Sequence, residues 1–411
     1  MFKRFFSAAV AAIILSAAVS SAAFAADTSE GESGALAASG EKDYSSLSGT
    51  TLNVYNWGEY ISDGSEGTLD INAEFEAKYG IHVNYTNYES NENMYNKLAS
   101  GGANYDVIIP SDYMIAKLIE EDMLLPLNFD NIPNYRYILD KYKGLNYDPD
   151  NLYSVPYSVG MVGLIYNTKM VTKTVDSWNI MWDTDYSGKI LMFNNPRDAF
   201  AIAQFILGQD VNTESESDWR AAAELLKEQK SVVSSYVMDE VFIKMEGGDA
   251  AIAPYYAGDF LTMHEENPDL AFVYPKEGTN FFVDAMCVPK GAKNPEAAEL
   301  YINFMLEEDI GVANANTICY ASPNSLVLAS DDYELKDNEI LYPADEDMPA
   351  TQNFLNLSPA TQNLMTELWN ELKIEGENNT AVYVGLGAAA AVAAAYLIFR
   401  AVKRKKADAE E

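Results

Sequence analysis

Residues 105–113 read YDVIIPSDY, and this stretch decides the fold. Val107, Ile108 and Ile109 form a short unbroken apolar run, the pattern of a strand buried on both faces in a parallel sheet. Pro110-Ser111-Asp112-Tyr113 stops it, and a helix is predicted from there to about Glu121. Working upstream, Thr51–Tyr55 has β character and stops at Asn56-Trp57-Gly58-Glu59-Tyr60. GTLDINAEFEAKY (67–79) predicts a helix with Leu69, Ala73, Phe75 and Tyr79 near one face, ended by Gly80. Ile81–Tyr88 alternates apolar and polar, as a strand does, and Asn91–Ser100 predicts a helix. Strand, loop and helix repeating at this spacing mean an α/β fold with a parallel sheet.

Downstream the pattern recurs. YSVPYSVGMVGLIYN (153–167) predicts an extended crossing between two lobes. Lys189–Phe193 predicts a strand that ends at Asn194-Asn195-Pro196-Arg197-Asp198, with a helix from about Ala199 and another over Trp219–Gln229. Ala250–Pro254 is a short strand ending at Tyr255-Tyr256, and Leu270–Pro275 is a further strand. FFVDAMCVP (281–289) predicts a return crossing, followed by helices at Pro295–Leu306 and Ser358–Leu372. The expected organisation is a first lobe over 50–158 that resumes at 284–376, with a second lobe over 159–283 between.

Composition narrows the function. The chain has 411 residues, 27 Lys+Arg against 62 Asp+Glu, and a net charge of −35. A field of that sign repels phosphates and attracts cations, so nucleic acid is excluded as a main partner. Two His and two Cys are too few for the usual zinc or triad constellations, and no cofactor loop is present. Cys287 and Cys319 are equally open to pairing with each other or to being buried free thiols; His82 reads as a strand-surface residue and His264 as a solvated helix residue.

Both ends carry targeting signals. Met1-Phe2-Lys3-Arg4, an apolar run from Phe5 and the small-residue site Ala23-Phe24-Ala25-Ala26 predict a signal peptide over 1–25. The competing reading is an uncleaved anchor. No Cys near the site offers a lipid attachment. Residues 26–49, rich in Ser, Gly, Ala and acid, predict a flexible leader. Ala381–Phe399 is uncharged and apolar and is followed by Arg400, Lys403, Arg404, Lys405 and Lys406. That predicts a transmembrane helix over 380–400 with a cytoplasmic basic tail at 401–411, against the alternative of an Ala-rich core helix. The main body is then extracytoplasmic, in the periplasmic space or at the cell surface.

In open parallel α/β sheets ligands sit beyond the carboxyl ends of the strands. The residues there are Trp57, Gly58, Glu59 and Tyr60; Ser111, Asp112 and Tyr113; Asn195 and Asp198; Tyr255 and Tyr256; and, on the return crossing, Phe282 and Asp284. Arg197 is the one basic residue among them. Acids and aromatics without a metal cluster suit an organic cation: carboxylates bond ammonium groups, and aromatic faces attract them by about 0.5–2 kcal/mol each. Taken singly each has a bland reading: loop carboxylates are normally solvated, Asp198 suits a helix N-terminus, and Arg197 could simply hold Asp198.

Several stretches together resemble the extracytoplasmic spermidine/putrescine-binding proteins of bacterial ABC importers: YNWGEYI (55–61), YESNENMYNKL (88–98), YDVIIPSDY, SVPYSVG (154–160), YPKEGTNFFVDAMCVP (274–289) and TICYASPN (317–324). The resemblance runs from about Thr51 to about Lys373 and implies a two-lobed periplasmic-binding-protein-like fold that closes on a polyamine. It implies that Trp57, Gly58, Glu59 and Tyr60 form a first ligand loop, and Ser111 and Tyr113 a second. Asp198 and Asp284 match ligand carboxylates, Tyr255 and Phe282 stand where the spermidine binders have Trp, and Tyr320 matches an aromatic wall. Asn195 departs from an Asp of the pattern; Asp112 and Asp259 are acids available to offset that loss. The family's late Gln contact has no counterpart among Thr351–Leu357. The function implied is a monomeric binding protein, not an enzyme, that hands polyamine to a permease and its ATPase. Alternatives are a membrane-anchored polyamine sensor, disfavoured because the tail after Arg400 contains no domain, and a binder of another organic cation.

Overall fold

A computed structural model describes residues 42–102 and 104–374. The expected signal peptide, transmembrane helix and basic tail, and most of the expected leader, lie outside the described residues. Among the described residues no helix is long and apolar enough to cross a membrane.

The first strand–helix units are β1 (Thr51–Trp57), α1 (Ile71–Tyr79), β2 (His82–Tyr88), α2 (Asn91–Ala99), β3 (Val107–Ile108) and α3 (Asp112–Glu120). A long strand, β4 (Ser154–Asn167), leads to β5 (Ile190–Phe193), α4 (Pro196–Leu207), α5 (Glu216–Gln229), β6 (Val233–Val237) and α6 (Glu240–Glu246). Then come β7 (Ile252–Tyr256), α7 (Ala257–Glu266), β8 (Leu270–Val273) and the second long strand, β9 (Thr279–Cys287). The chain closes with α8 (Pro295–Met305), α9 (Glu308–Ile318), α10 (Ser325–Ala329), β10 (Thr351–Gln352) and α11 (Pro359–Ile374).

The strands form one ten-stranded sheet in the order β2-β1-β3-β9-β4-β7-β5-β6, with β10 beside β9 and β8 beside β4. β1 is parallel to β2 and β3, and β5 is parallel to β6 and β7. Between these two parallel units β4 and β9 run antiparallel, from Ser154↔Cys287 to Met161↔Phe281. At Val162 β4 leaves β9 and pairs with β7 instead. The two segments read as crossings are therefore adjacent strands that join two lobes. Two large buried clusters hold the fold: one, with Leu52, Val54, Phe75, Val283 and Tyr301, lies in the first lobe, and the other, with Trp178, Phe193, Phe200 and Trp219 of the second, continues across the junction to Tyr55, Ile108 and Met114.

Local chemistry sets the element ends. The helix expected from Gly67 begins only at Ile71, because Asp70 caps it by accepting from the Ala73 N–H at 2.9 Å. Gly80, at φ 67°, ends it, a conformation glycine adopts without strain. The chain packs before β1: the Tyr44 ring meets Tyr79 edge-on at 6.3 Å. β6, α6, α9 and α10 were not anticipated from the sequence. Cys287 and Cys319 are both buried free thiols. His82 is exposed on β2 beside Glu76, and His264 is exposed on α7.

Candidate functional site

The loops that follow β1, β3, β5 and β7 meet at the junction of the lobes, and each is held by a specific device. After β1, Asn56 is fully buried and its Nδ2 donates to the Tyr60 carbonyl at 3.2 Å; Tyr157 Oη donates to the same oxygen at 2.6 Å. These bonds hold Glu59 at φ 48°, left-handed for a non-glycine residue, and leave it exposed at the cleft rim. Trp57 is fixed by donating from Nε1 to the Ile109 carbonyl at 2.9 Å.

After β3, Asn91 clamps the loop. It accepts from the Ser111 N–H at 3.2 Å and donates to Ser111 Oγ and Tyr113 Oη, each at 3.1 Å. Tyr113 in turn donates to Glu92 Oε1 at 3.0 Å. After β5, Asn195 caps α4 by accepting from the Arg197 N–H at 3.1 Å, and its Nδ2 donates to Asp198 Oδ2 at 2.7 Å. The amide found where an acid was expected thus turns Asp198 toward the cleft instead of supplying a charge.

The crossing strand β9 brings Phe282 and Asp284. Asp284 Oδ2 accepts from Tyr60 Oη at 2.8 Å, and Tyr60 also shares a short hydrogen bond with Ser158. Asp284 Oδ1 is buried without a hydrogen-bond partner. Across the lobes, Tyr320 donates to Asp259 Oδ2 at 3.0 Å, and the Tyr320 ring packs edge-on against Tyr60 at 4.8 Å.

All the candidate residues line one cleft: Trp57, Gly58, Glu59, Tyr60, Ser111, Asp112, Tyr113, Asn195, Asp198, Tyr255, Phe282, Asp284 and Tyr320. It encloses about 700 Å³ of non-atom space, mouth included. Among the described residues seven carboxylates and ten aromatic rings line it, and no Lys, Arg or His does. Burial pushes the carboxyls of Asp198 and Asp112 up to about 7 and that of Asp284 to about 6. Hydrogen bonds from Tyr256 to Asp198, from the Tyr113 N–H to Asp112 and from Tyr60 to Asp284, with the Ser111 hydroxyl close to Asp284, pull the other way. Asp259 is raised well above the carboxylate range, by burial first and then by Asp239 and Glu59.

One sequence reading changes. Arg197 does not hold Asp198. Its guanidinium turns away from the cleft and donates to the Val211 carbonyl at 2.9 Å, Asn212 Oδ1 at 2.8 Å and the Leu355 carbonyl at 3.3 Å, lying over the Phe354 ring at 4.4 Å. It ties α4 to the segment before α11. Tyr255 reaches the cleft but is packed against Phe193 at 5.5 Å, whereas Tyr256 donates to Asp198 Oδ2 at 2.9 Å and meets Phe282 edge-on at 5.5 Å.

The sequence reading missed Tyr88, Glu89, Asn91, Met238, Asp239, Phe242, Asn280 and Phe354, all of which line the cleft. The Ser90 cap at the end of β2 was the available signal for Glu89 and Asn91. Among the described residues no group of three or more His, Cys, Asp or Glu is placed to hold a metal ion.

The profile of the bacterial extracellular solute-binding protein family matches residues 70–350. A spermidine/putrescine-binding periplasmic protein of Salmonella typhimurium is 32% identical over 296 residues, covering 71% of this chain and 83% of the relative. The Escherichia coli K12 protein of the same name is 31% identical over 326 residues, covering 79% and 91%. A solved Listeria monocytogenes chain, assigned to a spermidine/putrescine ABC transporter, superposes with a TM-score of 0.75 at 33% identity, covering 79% of this chain and 99% of that one.

Proposed function

Because the chain belongs to the bacterial extracellular solute-binding proteins, we propose that it captures polyamines, spermidine or putrescine, between its lobes and delivers them to an ABC importer. The observation that carries this reading is the cleft itself: seven carboxylates and ten aromatic rings with no basic side chain. A lining of that kind fits an alkyl chain bearing ammonium groups and repels an anion. In this reading Glu59, Asp198 and Asp284 hold ammonium groups, assisted by Ser111, Asp112 and Asn195. Trp57, Tyr60, Tyr113, Tyr255, Tyr256, Phe282 and Tyr320 enclose the methylenes. One ammonium–carboxylate contact is worth about 4 kcal/mol gross at an effective dielectric near 20, and desolvation cancels much of it. Several such contacts plus aromatic walls are therefore needed.

Contacts reach the ligand from both lobes, so binding favours the closed arrangement. The division expected from the sequence, 50–158 with 284–376 against 159–283 and β4 and β9 as the hinge strands, belongs to this reading, with α11 packing on α4 and α5 of the second lobe. Titration calorimetry tests the reading. Saturable binding of putrescine or spermidine, with no heat from glutamate or a hexose, is expected; no binding of either amine by folded protein contradicts it.

The body works outside the cytoplasmic membrane, exported by the signal peptide at 1–25 and retained by the apolar run 380–400 with its basic flank. Support for the anchor is the uncharged length and the Lys/Arg stop. Expression in a bacterial host of the full chain and of a chain ending at 376 tests it. The full chain is expected in the carbonate-resistant membrane fraction and the shorter one in the soluble fraction. Equal solubility of the two contradicts the anchor.

A further inference from the structure

The cleft has two ends of different character. At the inner end Asp284 and Asn280 are each 4% exposed, line the cavity, and each has a side-chain oxygen, Oδ1, buried without a hydrogen-bond partner. Asp198 lies at the same end, linked through Tyr256 to Phe282. Two unpartnered acceptors on residues that line the cavity leave room there for a ligand donor.

The outer end is built from two elements that belong to different lobes. From the first lobe comes the Gly58-Glu59 turn after β1; from the second come Met238, Asp239 and Phe242 at the β6–α6 corner. A Cβ built on Gly58 would lie 2.3 Å from Asp239 Oδ2, so the Asp239 carboxylate rests against the backbone of the Glu59 turn. A side chain at position 58 would meet only the Asp239 carboxylate, which would have to turn away from the turn. Burial of the carboxyl first, then Glu59, Glu240 and Glu89, raise Asp239 above the usual range, and Asp259 of its own lobe also faces it. No basic side chain of the cleft offsets them.

We propose that Asp239 joins Glu59 in a second cation subsite, assembled only when the lobes meet, which takes the far ammonium of an α,ω-diamine whose near ammonium lies at Asp198 and Asp284. The assignment rests on the polyamine reading above and adds a residue that the sequence resemblance does not carry over. Closing the lobes drives Asp239 toward two acids of the opposite lobe, which opposes closure. A ligand with a second charge at that end reverses the sign of the interaction. A monoamine has one ammonium, takes the buried inner end and leaves the acids at the rim uncompensated. Discrimination between linear diamines and monoamines is thus placed at Asp239.

The test is calorimetric titration of the full chain and of its Asp239→Asn and Glu240→Gln variants with putrescine and with n-butylamine. Asp239 and Glu240 each keep part of their surface exposed at the rim, although the Asp239 carboxylate turns against the Gly58 turn, so the variants are expected to keep the wild-type melting midpoint. Glu240 accepts from the Met238 N–H at 3.1 Å and faces Asp239 but does not line the cleft, so its amide variant tests whether an acid beside the subsite has the same effect as one within it. For Asp239→Asn, putrescine affinity is expected to fall about tenfold with butylamine affinity unchanged. Glu240→Gln is expected to match the wild type with both ligands. Unchanged putrescine affinity in Asp239→Asn, equal losses for both amines, or the same loss in Glu240→Gln would each overturn the assignment. Failure of the wild type to bind either amine would instead overturn the polyamine reading on which it rests.

Discussion

Burial holds the carboxyls of Asp198 and Asp112 at about 7 and that of Asp284 at about 6, where an unfolded Asp titrates near about 3.9. Such groups keep protons in the native state that the unfolded chain has already released. Their contribution to stability is therefore most favourable in acid and declines as pH rises from about 4 to about 7. A bound ammonium favours the ionised forms, so ligand binding expels those protons, while the amines themselves, with pKa values near about 10, stay charged. Putrescine affinity is expected to rise about tenfold between about pH 5.5 and 7.5. Calorimetry at pH 6.5 in two buffers of different ionisation enthalpy should report proton release; proton uptake, or affinity flat with pH, contradicts the assignment. At this scale the sequence told which residues meet but not how they are used. Asn195 read as a lost charge, and the fold makes it the helix cap that orients Asp198. Arg197 read as a partner of Asp198 because it is its neighbour in sequence, but on a helix adjacent side chains point in different directions.

The elements were legible where burial is strong on both faces. β3, β5 and β7 are apolar runs ending in turn residues, and the loops after them hold most of the candidate site. β6 was not legible. It is an edge strand of the sheet whose residues, VSSYV, are mostly half-buried or exposed, so its pattern carries no apolar run. Missing β6 meant missing the corner after it, and with it Met238, Asp239 and Phe242. Contact between elements of the two lobes can be tested at α7. A Cβ on Gly258 would lie 2.4 Å from Cδ2 and 2.8 Å from Cγ of the Tyr320 ring, which belongs to the opposite lobe. Ala is the better helix former by about 1 kcal/mol, so Gly258→Ala should leave the melting midpoint of the unliganded protein unchanged or higher. It should nonetheless weaken putrescine binding about tenfold or more, because the closed lobes no longer fit. Wild-type affinity in this variant would mean that the α7–Tyr320 contact is not part of closure.

For the molecule as a whole, two lobes joined by β4 and β9 follow from the two crossings read in the sequence, the first of them extended and punctuated by Gly and Pro. The largest buried cluster runs from Tyr55 and Met114 of the first lobe to Phe193 and Trp219 of the second, so apolar packing is continuous across the junction. The net charge of −35 favours approach of a polycation at low ionic strength, and the cleft concentrates that charge where no basic side chain answers it. The central claim is that buried carboxylates at the lobe junction hold the ammonium groups of a polyamine. Its most direct test is calorimetric titration with putrescine and spermidine of the wild type and of an Asp198→Asn, Asp284→Asn double variant, each shown to be folded. The account expects saturable binding by the wild type and a loss of about a hundredfold or more in the double variant, as for removal of two charged hydrogen-bond partners. Equal affinity of the two proteins, or no binding by either, would contradict it.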